Sequence, residues 1–133
     1  MEHTKISIIV NEAIEEANVS YDVGKGTIKF SMSNGFKKTY QAEDLYLCLA
    51  KIRHEHPEIK FLCKGAKLNV TPSRMCSQMS GGAIAYELTP GRPATRENIV
   101  QIFDYEDCNI TRTLKEQQDY FRAWLNSLNA PKE

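Results

Sequence analysis

Hydrophobic and polar positions repeat with two different periods along this chain. Between residues 6 and 17 the apolar residues recur three and four positions apart: Ile6, Ile9, Val10, Ala13, Ile14 and Ala17. Glu12, Glu15 and Glu16 fall between them, so the spacing predicts an amphipathic helix with an acidic outer face. Residues 27–40 instead alternate, and their Asn34-Gly35 pair supplies the positive φ angles of a tight turn. That stretch predicts a β-hairpin.

Helical spacing returns in two later segments. Residues 42–56 place Leu45, Cys48, Leu49 and Ile52 on one side. Lys51, Arg53 and Glu55 are expected on the exposed side, and Pro57 ends this predicted helix. The last predicted helix begins at Thr113 with a capping box that ends at Glu116. Spacing along this helix places one stripe of residues on the same side: Leu114, Gln117, Phe121, Trp124, Leu125 and Leu128.

The middle of the chain predicts short elements separated by turns. Residues 59–63 and 68–71 are strand-like and could form a second hairpin. Ser73 is placed to cap a short helix that Gly81-Gly82 ends, and its Met75 and Met79 would share one face. Residues 83–88 alternate as a strand. Thr95 would cap a brief helix that carries Ile99, Val100, Ile102 and Phe103.

These elements together predict one α/β-type (α+β) domain over residues 1–133. We expect a mixed or mostly antiparallel sheet of about five or six strands with flanking helices. A chain of 133 residues is long enough to bury its own core. The longest apolar run near the N-terminus is Ile8-Ile9-Val10, too short for a signal peptide or a membrane span. A cytoplasmic protein is therefore expected.

Residues that could carry catalysis, a metal or a cofactor are scattered. Cys48, Cys63, Cys76 and Cys108 form no CxxC pair, and His54 and His56 are too close together to share a helix face. We therefore expect reduced thiols, no metal and no cofactor. A nucleophilic pair of Cys63 or Cys76 with either histidine has no supporting spacing. Ser80-Gly81-Gly82 fits no phosphate-binding motif, so an enzyme is not expected.

Charge is segregated along the sequence although the formal net charge is zero. Residues 60–96 contain six lysines and arginines and one acid, Glu87. With Phe61 and Tyr86 as stacking rings, this stretch would suit a nucleic-acid-binding regulator. However, such proteins are usually basic overall, so nucleic acid is the less favoured partner.

The most distinctive polar cluster is Phe103-Asp104-Tyr105-Glu106-Asp107, which lies between two predicted helices. A loop there would expose three carboxylates around an aromatic ring. Carboxylates speed association with basic protein surfaces, and a tyrosine ring can serve as a buried anchor. Asp104, Tyr105, Glu106 and Asp107 are therefore the candidate binding residues, and Glu12, Glu15 and Glu16 are candidates to assist them.

Roughly residues 60–127 carry a resemblance to a known group of proteins. The chain there resembles the C-terminal part of small immunity proteins from enterobacterial polymorphic-toxin and contact-dependent growth inhibition loci. The residues that carry the resemblance are Pro72-Ser73-Arg74-Met75, Met79, Gly82, Ala85-Tyr86-Glu87-Leu88, Gly91-Arg92-Pro93-Ala94 and Val100 to Asp104.

The resemblance implies a protein without enzymatic activity that binds and neutralises a cognate toxin domain, commonly a nuclease, by covering its active site or substrate channel. It transfers no fixed set of contact residues. A nuclease must be basic to hold phosphates, which agrees with the acidic 104–107 loop. A nucleic-acid-binding regulator and a small hydrolase or transferase stay as alternatives.

Overall fold

The N-terminal part of the chain forms a five-stranded antiparallel sheet. Residues 1–129 are described by the computed structural model. The strands are β1 (Glu2–Val10), β2 (Ala13–Asp22), β3 (Thr27–Ser31), β4 (Lys37–Gln41) and β5 (Lys60–Leu62). They lie in the order β4-β3-β2-β1-β5. The pairing of β3 with β4 confirms the hairpin predicted over residues 27–40.

The helix predicted for residues 6–17 is wrong, because this stretch forms the hairpin of β1 and β2. Val10 pairs with Ala13, and Asn11 and Glu12 make the two-residue turn with φ angles of 51° and 68°. Positive φ at both turn positions matches the twist of a hairpin. A strand also brings Ile6 and Ile8, two positions apart and both buried, onto one face.

One face of this sheet packs against α1 (Leu45–Glu55) and forms the main core. The helix predicted for residues 42–56 is thereby confirmed. It begins where Oδ1 of Asp44 accepts a hydrogen bond of 2.8 Å from Leu47 N–H, which is a side-chain N-cap. The opposite face of the sheet carries mainly polar side chains, as is usual for an antiparallel sheet covered on one side.

A second, three-stranded antiparallel sheet lies in the middle of the chain. Its strands are β6 (Val70–Thr71), β7 (Ile84–Glu87) and β8 (Ile99–Gln101), in the order β6-β7-β8. The second hairpin predicted between residues 59–63 and 68–71 is wrong, because β5 pairs with β1 and β6 pairs with β7. The brief helix predicted after Thr95 is a 3-10 turn over Arg96–Asn98 followed by β8.

The two remaining helices agree with their predicted caps. In α2 (Arg74–Ser80), Oγ of Ser73 accepts from Cys76 N–H, and Gly81 ends the helix with φ 61°. In α3 (Leu114–Leu128), Thr113 is the N-cap. The Trp124 side chain, 9% exposed, donates from Nε1 to two backbone carbonyl oxygens. The fold is thus a single α+β domain, as predicted. Within residues 1–129, no helix has the length and apolarity needed to cross a membrane.

A buried polar network joins α1 to α3. Arg53 was expected on the exposed side of α1, but it is 3% exposed. Its guanidinium donates to Gln117 Oε1 at 3.0 Å and to Thr111 Oγ1 and O at 2.6 and 3.2 Å. Burial lowers the pKa of Arg53, and its hydrogen bonds run to neutral oxygens. The sequence pattern missed this because the residues that accept from Arg53, Gln117 and Thr111, are 64 and 58 positions away in sequence.

This network predicts a stability effect that depends on which partner is removed. Gln117→Leu would remove one acceptor of the buried guanidinium and the donor to the Gly65 carbonyl oxygen, so we expect it to cost ~2–4 kcal/mol of unfolding free energy. Arg53→Met removes the buried charge that needs Gln117 as an acceptor. The double variant, Arg53→Met with Gln117→Leu, should therefore lose less unfolding free energy than the sum of the two single variants, by ~1 kcal/mol or more. Urea denaturation measures all three.

The control for this network is Arg122→Met, an exposed arginine on α3, which should change stability by less than ~0.5 kcal/mol. Additive costs of the two single variants would contradict the coupling.

Candidate functional site

The segment from Ile102 to Ile110 lies alongside residues 62–68 and covers the free edge of β5. Asp104 O accepts from Lys64 N–H at 2.8 Å, and Glu106 N–H donates to Leu62 O at 3.3 Å. Tyr105 pairs with Cys63 in an antiparallel bridge. Backbone pairing therefore fixes the position of the predicted binding loop, although the loop forms no regular strand.

Three of the four candidate binding side chains lie at the surface together. Tyr105 is 58% exposed, and Asp104 and Asp107 are exposed on either side of it. The Tyr105 hydroxyl lies 3.5 Å from Asp107 Oδ2. The loop thus presents an exposed aromatic ring with the Asp107 carboxylate beside its hydroxyl, and neither Asp107 nor the exposed Asp104 takes part in an ion pair with a described residue.

The fourth candidate, Glu106, is turned inward, and the expectation that it is exposed is wrong. Its side chain is 11% exposed and accepts from Lys64 Nζ at 2.8 Å and from Lys67 Nζ at 2.7 Å. Glu87 accepts from the same two amines at 3.0 and 2.9 Å. The four residues form a closed cluster of two lysines and two glutamates. Glu106 therefore holds the loop against the domain.

The ion cluster shifts the protonation equilibria of its members. Hydrogen bonds from Lys64 and Lys67 lower the pKa of Glu106 to about 2, against the opposing effect of burial. For Glu87 burial is the largest single effect and raises the pKa, but the hydrogen bonds from Lys67 and Lys64 outweigh it and the net pKa is lowered. Both carboxylates are therefore ionised at neutral pH.

The lysines of this cluster are positioned by the 3-10 turn over Lys64–Ala66. Gln117 Nε2 donates to Gly65 O at 2.9 Å and to Lys67 O at 2.8 Å. Thr111 Oγ1 donates to Ala66 O at 2.8 Å. A Cβ at Gly65 would lie 2.6 Å from Leu49 Cδ2, so the turn packs directly on α1. The buried network around Arg53 thus supports the loop through this turn.

Some of the features that suggested nucleic-acid binding are engaged inside the domain. Phe61 is 2% exposed and has no face for a base to stack on, while Tyr86 is half-buried. Lys64 and Lys67 are neutralised by Glu87 and Glu106. Two of the six basic residues between 60 and 96 are therefore neutralised within the domain, whereas Arg74, Arg92 and Arg96 are exposed.

The acids that were expected to assist the loop belong to the β1–β2 hairpin. Glu12 is exposed in the turn. Glu15 accepts from Ser33 Oγ at 2.9 Å, and Glu16 pairs with Lys5 at 3.6 Å. Two of these three carboxylates thus have partners within the domain, which weakens them as an extension of the binding loop.

The cysteines offer little nucleophilic chemistry. Cys48, Cys63 and Cys76 are buried and Cys108 is exposed, and all four are free. Burial raises the pKa of both the Cys48 and the Cys63 thiol to about 11, so neither is a thiolate at neutral pH. Ligand atoms of Glu106, Asp107 and Cys108 lie within 4.8 Å of one another. However, two lysines already neutralise Glu106, which makes this cluster a poor cation site.

Gly81 and Gly82 serve packing and helix termination. A Cβ at Gly81 would lie 2.6 Å from Val23 O, and one at Gly82 would lie 2.9 Å from the carboxylate carbon of Asp44. A carboxylate this close to Gly82 would repel a phosphate. The geometry therefore favours the role of these glycines in ending α2 over a nucleotide-binding role.

The depressed pKa of Glu106 predicts an acid-dependent contribution to stability. A carboxyl whose folded pKa is about 2 stabilises the fold fully above its unfolded pKa of about 4.3 and loses that contribution as pH falls toward 2. Glu106→Gln should therefore cost roughly 1–3 kcal/mol at pH 7 and about half as much at pH 3, measured by urea denaturation at both pH values.

Glu97→Gln is the matched control for this titration, because Glu97 is an exposed acid without an ion pair among residues 1–129. It should have little effect at either pH. If Glu106→Gln cost the same at pH 7 and pH 3, the cluster would not be an ionic one.

Comparison with known proteins adds no family to this picture. No protein-family model and no curated protein matches the sequence. The resemblance of residues 60–127 to immunity proteins therefore stays a hypothesis, and the contacts around the 104–107 loop provide the structural evidence about function.

Proposed function

We propose that this protein is an immunity protein that acts in the cytoplasm by binding a cognate toxin domain. The observation that carries the proposal is the loop in which Asp104, Tyr105 and Asp107 are all exposed. An aromatic side chain with flanking charges is a common energetic centre of a protein interface. A nuclease domain, whose surface is basic, is the partner that suits these carboxylates best.

The fixed backbone of the loop also supports a binding role. Its residues are held by β5, by the 3-10 turn and by the ion cluster before any partner arrives. A preordered binding surface loses less conformational entropy on association than a flexible one. Glu106 is therefore assigned a positioning role, while Asp104, Tyr105 and Asp107 are the proposed contact residues. Inhibition follows if this surface covers the toxin's active site or its substrate channel.

The proposal predicts that the two kinds of contact residue act on different rate constants. Asp104→Asn with Asp107→Asn should slow association with the toxin domain encoded beside this protein by ~3–10-fold at low salt, and the effect should fade as salt shortens the Debye length. Tyr105→Ala should mainly speed dissociation, by ~10-fold or more. Surface plasmon resonance over a salt series measures both constants.

The matched control for the acidic pair is Glu43→Gln with Glu97→Gln, which removes the same charge from two other exposed acids. It should leave both rate constants nearly unchanged. The loop is not the contact surface if its variants behave like this control. Failure of the wild-type protein to co-purify with the toxin domain would count against the immunity function itself, and a salt-sensitive shift of labelled RNA or DNA would then favour the nucleic-acid alternative.

A further inference from the structure

A groove with a volume of about 570 Å³ lies between α1 and the start of α3, and the proposed toxin contact does not use it. Its apolar part is made by Ala42, Leu47, Ala50 and Leu114. The charged residues that line it, Lys51, Arg112 and Lys115, are all basic, and His54 is beside them. The groove thus combines an apolar floor with a cationic rim.

Two of the rim cations are held in place without being neutralised. Lys51 Nζ donates to Gln41 O at 2.9 Å, and Arg112 Nη1 donates to Pro57 O at 2.9 Å. Among residues 1–129, neither forms an ion pair with a carboxylate, whereas Lys115 pairs with Asp119 at 2.7 Å. A carbonyl oxygen orients a cation but is itself neutral, so the cation keeps its positive charge. Lys51 and Arg112 therefore keep donors and positive charge for an incoming anion.

The size of the apolar floor limits what can occupy the groove. Leu47 and Ala50 are three residues apart on α1, which corresponds to ~5 Å along the helix axis. A partner helix lying in a groove needs apolar contacts spread over about two turns, and this floor is shorter. Its volume lies within the ~300–1,000 Å³ that is typical of small-molecule sites.

We propose that this groove binds a small amphipathic anion. Its aliphatic or aromatic body would lie on Leu47, Ala50 and Leu114, and its carboxylate would accept hydrogen bonds from Lys51 and Arg112. The site is separate from the 104–107 loop, so it can be tested in the isolated protein and does not depend on the toxin.

Decanoate and decyltrimethylammonium are the probes, since they share a ten-carbon chain and carry opposite charges. Both are titrated as monomers, below their micelle-forming concentrations, and followed by amide chemical shifts. Decanoate should shift the amides of α1 and of residues 112–115 and bind at least ~10-fold more tightly than the cation, a ratio that corresponds to ~1.4 kcal/mol. Equal affinity for the two probes, or shifts confined to other surfaces, would overturn the proposal.

Charge removal at the rim supplies the second test. Lys51→Gln with Arg112→Gln keeps side chains of similar polarity and should weaken decanoate binding by ~10-fold or more. The matched control, Lys29→Gln with Lys37→Gln, removes two charges from the sheet face opposite α1 and should change the affinity by less than ~2-fold. Similar losses in both variants would show non-specific charge attraction. Tighter binding of an acidic, leucine-containing peptide than of decanoate would also contradict a small-molecule site.

Discussion

The hydrogen bonds around the buried guanidinium of Arg53 join α1, the start of α3 and the 3-10 turn at residues 64–66. A charged group at 3% exposure loses its hydration, and hydrogen bonds to Gln117 and Thr111 offset that loss. Because both partners also donate to carbonyls of residues 65–67, the guanidinium connects α1, α3 and the 3-10 turn in one network. Displacing any of them would leave a buried polar group without a partner.

The candidate binding loop depends on that network indirectly, through the 3-10 turn. The 3-10 turn sets the positions of Lys64 and Lys67, and both lysines form ion pairs with Glu106. In addition, the backbones of Leu62 and Lys64 form hydrogen bonds with the loop backbone. Glu106 is the only one of the loop's three acids that is paired in this way within residues 1–129. The inward-facing Glu106 fixes the conformation of the loop, and the exposed Asp104 and Asp107 provide its surface charge. The loop can therefore be rigid and still present free carboxylates.

Local signals in the sequence predicted the elements whose termini carry strong caps or turns. They failed where the same apolar residues satisfied both the helical and the strand period. Gly35 lies in the β3–β4 loop with φ 96°, and Ser73 and Thr113 cap α2 and α3 as predicted. The hairpin of β1 and β2 was missed because its turn uses Asn11 and Glu12 instead of glycine, while Ile6, Ala13 and Ala17 also satisfy helical spacing. The loop could be located from its acids and aromatic ring. The inward turn of Glu106 and the burial of Arg53 could not, since both depend on partners about 40 to 64 residues away in sequence.

A net charge of zero is a poor guide to the charge of the individual surfaces of this protein. Lys64, Lys67, Glu87 and Glu106 cancel one another inside the domain. The remaining charges act locally, with free carboxylates around Tyr105 and unneutralised cations at Lys51 and Arg112. At ~0.15 M salt the electrostatic field of a surface charge is largely screened beyond ~8 Å. A partner that docks on one of these surfaces therefore responds to that surface and hardly to the sum over the molecule.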